Sequence, residues 1–121
     1  MLPVISPLLS ILNQIKIYHW QTYSFSQHKS FDGVYSSLSE KIDEFVETYQ
    51  GIFGRVKAET GAFEFEVKNL STDYVQVIDG WISYLKSFSQ DSDISQHSDL
   101  LNIRDEMLGD LNQLKYLLTL N

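Results

Sequence analysis

Residues 19–47 read HWQTYSFSQHKSFDGVYSSLSEKIDEFVE, and the spacing within this stretch decides the fold. From His28 onward the apolar residues recur at steps of three and four, which is the period of one buried face of an α-helix. The pattern continues beyond residue 47 and predicts a second helix from His28 to about Lys57. Its core-facing seam consists of Phe31, Tyr35, Leu38, Ile42, Phe45, Tyr49, Ile52 and Val56. A seam of this length predicts that the helix packs within a helical bundle.

A separate stripe of polar residues borders this seam on the same helix. It consists of His28, Asp32, Asp43 and Glu47, which fall within about 100° of arc at the pitch of an α-helix. Imidazole and carboxylate groups are metal ligands, and the border of a seam is where a helix meets a second partner. The alternative interpretation is a solvated acidic face, which Glu40 and Glu44 fit better than the stripe does.

The stripe is too long to hold one metal ion within a single chain. Asp32 and Asp43 are eleven residues apart, which is about 16 Å along a helix axis, whereas metal–ligand distances are about 2 Å. An identical helix packed antiparallel across a two-fold axis would place His28 and Asp32 of one copy opposite Asp43 and Glu47 of the other. Two equivalent sites would then form per dimer. The axis would cross midway, near Ser36 and Ser37. The residues in this region are small and permit close approach, namely Gly33, Ser36, Ser37 and Ser39.

The order His19-Trp20, His28-x-x-x-Asp32 and Asp43-x-x-x-Glu47 resembles the ferroxidase motif of the Dps-like branch of the ferritin superfamily. The resemblance implies an all-α fold, a ferritin-like four-helix bundle with a long crossover between helices 2 and 3, and a single Dps-like domain over residues 1–121. It also implies a ligand set that is shared between subunits. That set is His19, His28 and Asp32 of one subunit with Asp43 and Glu47 of its two-fold neighbour. The loop between the two histidines is shorter than in that family.

The composition limits the classes of protein and site. The chain has 121 residues, 43% of them hydrophobic, which predicts one domain with one core. The absence of cysteine leaves His and carboxylate groups as the metal ligands. The formal net charge of −7 attracts cations and disfavours contact with nucleic acid. The apolar run at the N-terminus is broken by Pro3 and Pro7, and it is too short for a membrane span.

The remaining helices follow from the same periodicity. The first is expected from Pro7 to about Tyr23, with residues 24–27 as a short connection. In residues 58–70 the side chains Phe63, Phe65 and Val67 alternate with charged ones, which predicts an extended crossover. The third helix should start near Ser71, with a hydrophobic staple between residues 70 and 75, and residues 87–96 should form a loop. The fourth should start near residue 95 or 98 and run almost to the end.

Three seams are therefore expected to pack against that of the second helix. The first helix contributes Ile5, Leu8, Leu12, Ile15 and His19. The third contributes Val75, Ile78, Trp81, Ile82, Leu85 and Phe88, and the fourth contributes Leu100, Ile103, Met107, Leu111, Leu114 and Leu118.

The histidines have simpler interpretations that must be weighed. His19 alone would be interpreted as a buried histidine bonded to a backbone carbonyl, but its place ahead of the polar stripe favours a ligand. Trp20 is expected to pack against the protein, and His97, which lacks a partner at ligand spacing, is expected at the surface. No Glu-x-x-His motif precedes any histidine, so a di-iron site inside the bundle is not expected.

The leading hypothesis is an iron-binding, ferroxidase-type protein that oxidises Fe(II) with peroxide or dioxygen between subunits, with a role in iron storage or oxidative stress. Iron is the expected metal, with zinc as a substitute. The expected partner is a second copy, in a homodimer at minimum or in a cage-like oligomer, and neither DNA nor a membrane is expected to bind.

Two other hypotheses stay open. One is a non-catalytic assembly protein, or a phage structural or accessory protein, with a structural metal site. The other is a helical interaction module without metal. The expected location is the cytoplasm, or the virion if the chain is phage-encoded.

Overall fold

The computed structural model describes residues 4–57 and 65–120, and it confirms the predicted all-helical fold of four helices. In chain order these are α1 (Ile5–Gln21), α2 (Phe25–Phe53), α3 (Tyr74–Lys86) and α4 (Ser98–Leu117). Short 3-10 turns at Ser87–Gln90 and Ile94–Gln96 connect α3 to α4. The described ranges contain no β-strand.

The helix α2 is the centre of the bundle. It packs against both α1 and α4, while α3 packs against α4 and makes little direct contact with α1. The largest completely buried side chains are Tyr18, Phe31, Phe45, Phe88, Leu8, Ile15 and Leu38. All six residues predicted for the seam of the fourth helix are buried, and so are most of those predicted for the second. Periodicity therefore identified the core correctly.

The boundaries of α2 differ from the predicted ones at both ends. The helix begins three residues before His28, because the hydroxyl of Ser24 accepts a hydrogen bond from the Gln27 N–H at 3.3 Å and caps the first turn. It ends at Phe53, because Gly54 adopts a φ of 89°, a conformation that glycine tolerates and that terminates helices. Val56 therefore lies outside the helix and is exposed, so its predicted place in the seam is wrong.

The start of α3 was also predicted too early. The helix begins at Tyr74 with Asp73 at the N-cap position, and the Ser71 hydroxyl donates to the carboxylate of Asp73 instead of capping the helix. Val75 is exposed, so the predicted staple does not form. The predicted loop at residues 87–96 instead contains two helical turns that bury Phe88 and Ile94.

The crossover between α2 and α3 is described only from Phe65 onward, and residues 58–64, including Phe63, lie outside the described ranges. Residues 65–70, hereafter the crossover segment, lie along α1. The Gln14 side chain accepts a hydrogen bond from the Lys68 N–H at 2.7 Å and donates to the Lys68 carbonyl at 2.9 Å. The Gln21 side chain accepts from the Leu70 N–H at 2.7 Å. Two glutamines seven residues apart thus fix the backbone of this segment.

Two basic side chains occupy polar positions between helices. Lys41 on α2 donates to both carboxylate oxygens of Asp110 on α4 at 2.9 Å, and the Ser37 hydroxyl donates to the same carboxylate. Arg104, which is buried, donates to the Leu85 carbonyl at the end of α3. These contacts satisfy groups that would otherwise be buried without partners.

No helix in the described residues has the length and apolar character needed to cross a membrane.

Candidate functional site

The two histidines of the motif meet where α1 ends and α2 begins. Their rings stack with centroids 3.8 Å apart and an interplanar angle of 18°. Nδ1 of His19 lies 2.8 Å from the carbonyl oxygen of His28, and Nδ1 of His28 lies 2.9 Å from the carbonyl oxygen of His19. Each histidine therefore bonds to the backbone of the other and joins the two helices across the turn at residues 22–24.

These bonds determine which ring nitrogens remain for a ligand. A carbonyl oxygen is only an acceptor, so Nδ1 must carry the proton in both rings. In a neutral imidazole the other nitrogen, Nε2, then carries a lone pair. A backbone carbonyl on the second ring nitrogen is the arrangement that orients histidines in metal sites. The pair is half-buried, so its orientation is fixed without being sealed from solvent.

The three acidic residues of the motif lie on one exposed face of α2. Asp32 is one helical turn after His28, whereas Asp43 and Glu47 lie about 16 Å and about 22 Å further along the axis, and all three are exposed. They belong to a continuous row of exposed residues, hereafter the outer stripe. The outer stripe consists of Phe25, Lys29, Asp32, Ser36, Glu40, Asp43, Glu47 and Gly51.

One chain does not bring enough ligands together for a metal site. Within residues 4–57 and 65–120, no three His, Asp or Glu side chains are grouped so that they could hold an ion. His19 contacts His28, whereas Asp43 and Glu47 lie far from both histidines along α2. A complete set of the predicted ligands would need a second chain.

One residue beside the histidines, Trp20, differs from its predicted position. Trp20 was expected to pack, but it is 68% exposed, and Tyr23 and Phe25 beside it are exposed as well. Lys16 lies over the ring of Tyr35, with its Nζ 4.1 Å from the centroid. Basic and aromatic side chains therefore surround the histidine end of the outer stripe.

Ser37 in the middle of α2 and His97 at the start of α4 make contacts with distant parts of the chain. Ser37, predicted near a two-fold axis, is half-buried and turns to Asp110, so that Ser36 alone of this pair is exposed. His97, expected at the surface, is half-buried and makes an edge contact with Phe53 at 5.3 Å between centroids. Both contacts join residues far apart in sequence, which helical spacing does not reveal.

Comparison with known proteins gives a relative in a bacteriophage. The chain is 30% identical over 102 residues to a protein of Enterobacteria phage T4 described as an uncharacterized 14.6 kDa protein in the mobD-ri intergenic region. The match covers 84% of this chain and 74% of the relative. No solved structure matches the chain.

The resemblance to the Dps-like branch of the ferritin superfamily is wrong as a family assignment. Residues 19–118 match a different family, described as a family of unknown function (DUF5856). The resemblance depended on six residues, and pairs of polar residues four apart recur on the exposed face of many amphipathic helices. Because the match spans most of the chain, the protein belongs to the family of unknown function DUF5856.

Proposed function

We propose that this protein is a non-catalytic accessory protein of phage type that self-associates along the outer stripe of α2 and holds a divalent metal ion between two copies. The ligands are Nε2 of His19 or His28 with Asp32 of one copy, and Asp43 and Glu47 of the other, because rings stacked in nearly parallel planes cannot both direct Nε2 at one ion. The observation that carries the proposal is the reciprocal hydrogen bonding of the two histidines, which directs Nδ1 to the backbone and reserves Nε2 for a ligand.

The donor set suits a first-row divalent ion. Imidazole nitrogens bind Zn(II) and Fe(II), and carboxylates complete their coordination when soft thiolates are absent. Whichever histidine binds the ion is already held by its Nδ1 hydrogen bond, so less conformational entropy is lost when the ion binds. A bound ion would join the two copies and orient them.

Charge along α2 favours an antiparallel arrangement of the copies. The histidine end of the outer stripe carries Lys29, with Lys16 of α1 nearby over Tyr35. The other end carries Glu40, Asp43 and Glu47, all exposed. Antiparallel packing places each basic end against an acidic end, whereas parallel packing would place like charges together.

An apolar groove beside the acidic end gives the second copy a surface to bury. It has a volume of about 420 Å³ and lies between α1 and α2. Leu9 and Val46 are half-buried walls of this groove, and Asp43 is part of its rim. Burial of these partly exposed side chains would add an apolar contribution to an interface whose centre is polar.

The proposed association is tested by sedimentation with and without Zn(II). We expect a dimer in the presence of metal, because the ion bridges two chains. Ser36→Trp, at the exposed middle of the outer stripe, should abolish both the dimer and the metal binding. Ser83→Trp on α3 is the matched control, since it places the same bulk at an exposed serine elsewhere, and it should change neither. A wild type that binds metal as a monomer would refute the proposal.

Oxidation of Fe(II) is a second candidate function for the same ligands. Oxygen-rich sites stabilise Fe(III) over Fe(II), and each Fe(II) would give one electron to dioxygen or peroxide. The carboxylates of the outer stripe are exposed on a single copy, which favours capture of the ion before two copies associate. We predict that absorbance from Fe(III) rises faster with wild type than with Ser36→Trp, while Ser83→Trp behaves as wild type. Equal rates in all three would exclude this activity.

Binding to duplex DNA is not expected. The chain has 9 Lys+Arg against 16 Asp+Glu, and three of its basic side chains, Lys41, Arg104 and Lys115, already pair with carboxylates of the same chain. Few cations remain to replace the counterions of the phosphate backbone. We predict no retention of duplex DNA in a gel shift at physiological salt, and salt-sensitive submicromolar binding would contradict this.

A further inference from the structure

A cavity separate from the histidine site lies where α1 and α3 fail to close against each other. It has a volume of about 380 Å³, within the usual range of small-molecule sites. Ile11 of α1 with Val77 and Trp81 of α3 give it apolar walls, and Glu66 and Lys68 of the crossover segment line it as well. The cavity therefore combines an apolar surface with one acidic and one basic residue.

Beside an apolar wall, the apolar side chains of the crossover segment would be expected to line the cavity, but its charged side chains do so. Its charged residues Glu66 and Lys68 line the cavity and are themselves exposed, whereas Phe65 and Val67 do not line it and are 45% and 49% exposed. A shift of one residue along an extended segment exchanges the two sets of side chains, and burial of the apolar set would be favourable. The paired hydrogen bonds of Gln14 to the backbone of Lys68 hold the observed register.

A glycine in the middle of α3 keeps the cavity open. Gly80 lines the cavity, and a Cβ built on it would meet no atom within 4 Å. Its φ is not positive, so the backbone accepts any residue, and glycine is a poor helix former. The cavity is thus lined by charged instead of apolar residues of the crossover segment and by a glycine within a helix. Such departures from local sequence preferences concentrate at functional sites.

We propose that this cavity binds a small zwitterion with an apolar body, of the α-amino-acid class. The Glu66 carboxylate is suited to the ammonium group and the Lys68 ammonium to the carboxylate, while the body packs against Trp81 and Val77. A ligand with only one charge would contact only one of these two charged side chains and lose the other interaction. The proposal is independent of the metal site and of self-association.

Phenylalanine is the probe, and isothermal titration with ligand-observed NMR on the full chain is the measurement. We expect saturable binding of phenylalanine and at least about tenfold weaker binding of phenethylamine, which lacks the carboxylate, and of 3-phenylpropionate, which lacks the ammonium. Lys68→Met should remove the preference for phenylalanine over phenethylamine, and Glu66→Gln its preference over 3-phenylpropionate. Both variants keep the backbone bonds to Gln14.

Gly80→Leu fills the cavity and should abolish binding while the helix is kept or stabilised. Gly109→Leu is the matched control, because Gly109 is also a helical glycine with no atom within 4 Å of a built Cβ and does not line the cavity. Circular dichroism verifies that both variants fold. Absence of phenylalanine binding to wild type, or equal binding to Gly80→Leu and wild type, overturns the proposal.

Discussion

Zn(II) at about one hundred times its dissociation constant should raise the melting temperature of the wild-type protein by about 10 °C. An ion that binds only the folded state at this excess adds about 2.7 kcal/mol by mass action. A domain of this size gains about 4 °C for each kcal/mol. Differential scanning fluorimetry with and without metal measures the shift, at a fixed protein concentration because the proposed site lies between two copies.

Single carboxylate substitutions identify the ligands. Asp43→Asn and Glu47→Gln should lose most of the metal-dependent shift, since each removes one of the two acidic ligands from the partner's half of the site. Without metal they should be equal to wild type, or more stable by a few tenths of a kcal/mol, because two like charges one turn apart repel each other. Glu44→Gln is the matched control, since it removes the same charge from an exposed neighbour. Equal shifts in all four proteins would refute the assignment.

Lys41→Met should lower the free energy of unfolding by about 3 kcal/mol, measured by urea denaturation. The Asp110 side chain is only 10% exposed and receives both its cation and a second donor from α2. Removal of the cation leaves a charge between helices with no partner of opposite sign, which costs about 3–5 kcal/mol. The lower end applies because Lys41 keeps some contact with solvent.

Two further variants distinguish the loss of the Lys41–Asp110 ion pair from a nonspecific destabilising effect of substitution. Lys41→Met combined with Asp110→Leu should recover most of the lost stability, because a buried ion pair can be replaced by packed apolar residues. Lys115→Met breaks the more exposed pair with Asp79 and should cost less than about 1 kcal/mol. If the double variant is no more stable than Lys41→Met, the ion pair is not the cause.

The periodicity of apolar residues was sufficient to predict the helices and their core. It worked best for α4, where every predicted seam residue is buried, because spacing of three and four directly reports the face of a helix that packs. It failed at helix ends. The φ of Gly54 and the pairing of Ser71 with Asp73 decide where α2 ends and α3 begins, and these are local contacts that a periodic pattern does not contain.

The candidate site was predictable in part. Sequence spacing placed the acidic residues on one exposed face of α2, and it indicated that His19 would point inward or toward a partner. It did not predict the stacking of His19 on His28, because that contact depends on the path of the chain through residues 22–24. Nor did it predict that Lys41, on the same helix as the acidic residues, pairs across helices with Asp110. A pattern within one helix cannot reveal a partner on another.

The cavity between α1 and α3 has a consequence for local unfolding of the protein. Because α3 packs mainly against α4, it can separate from the bundle with little disturbance to the packing of α2 on its two neighbours. We expect α3 and the crossover segment to form the first unit to open in native-state hydrogen exchange, at lower free energy than global unfolding. Occupancy of the cavity would be coupled to that local opening, so a ligand would slow amide exchange in α3 more than in α2.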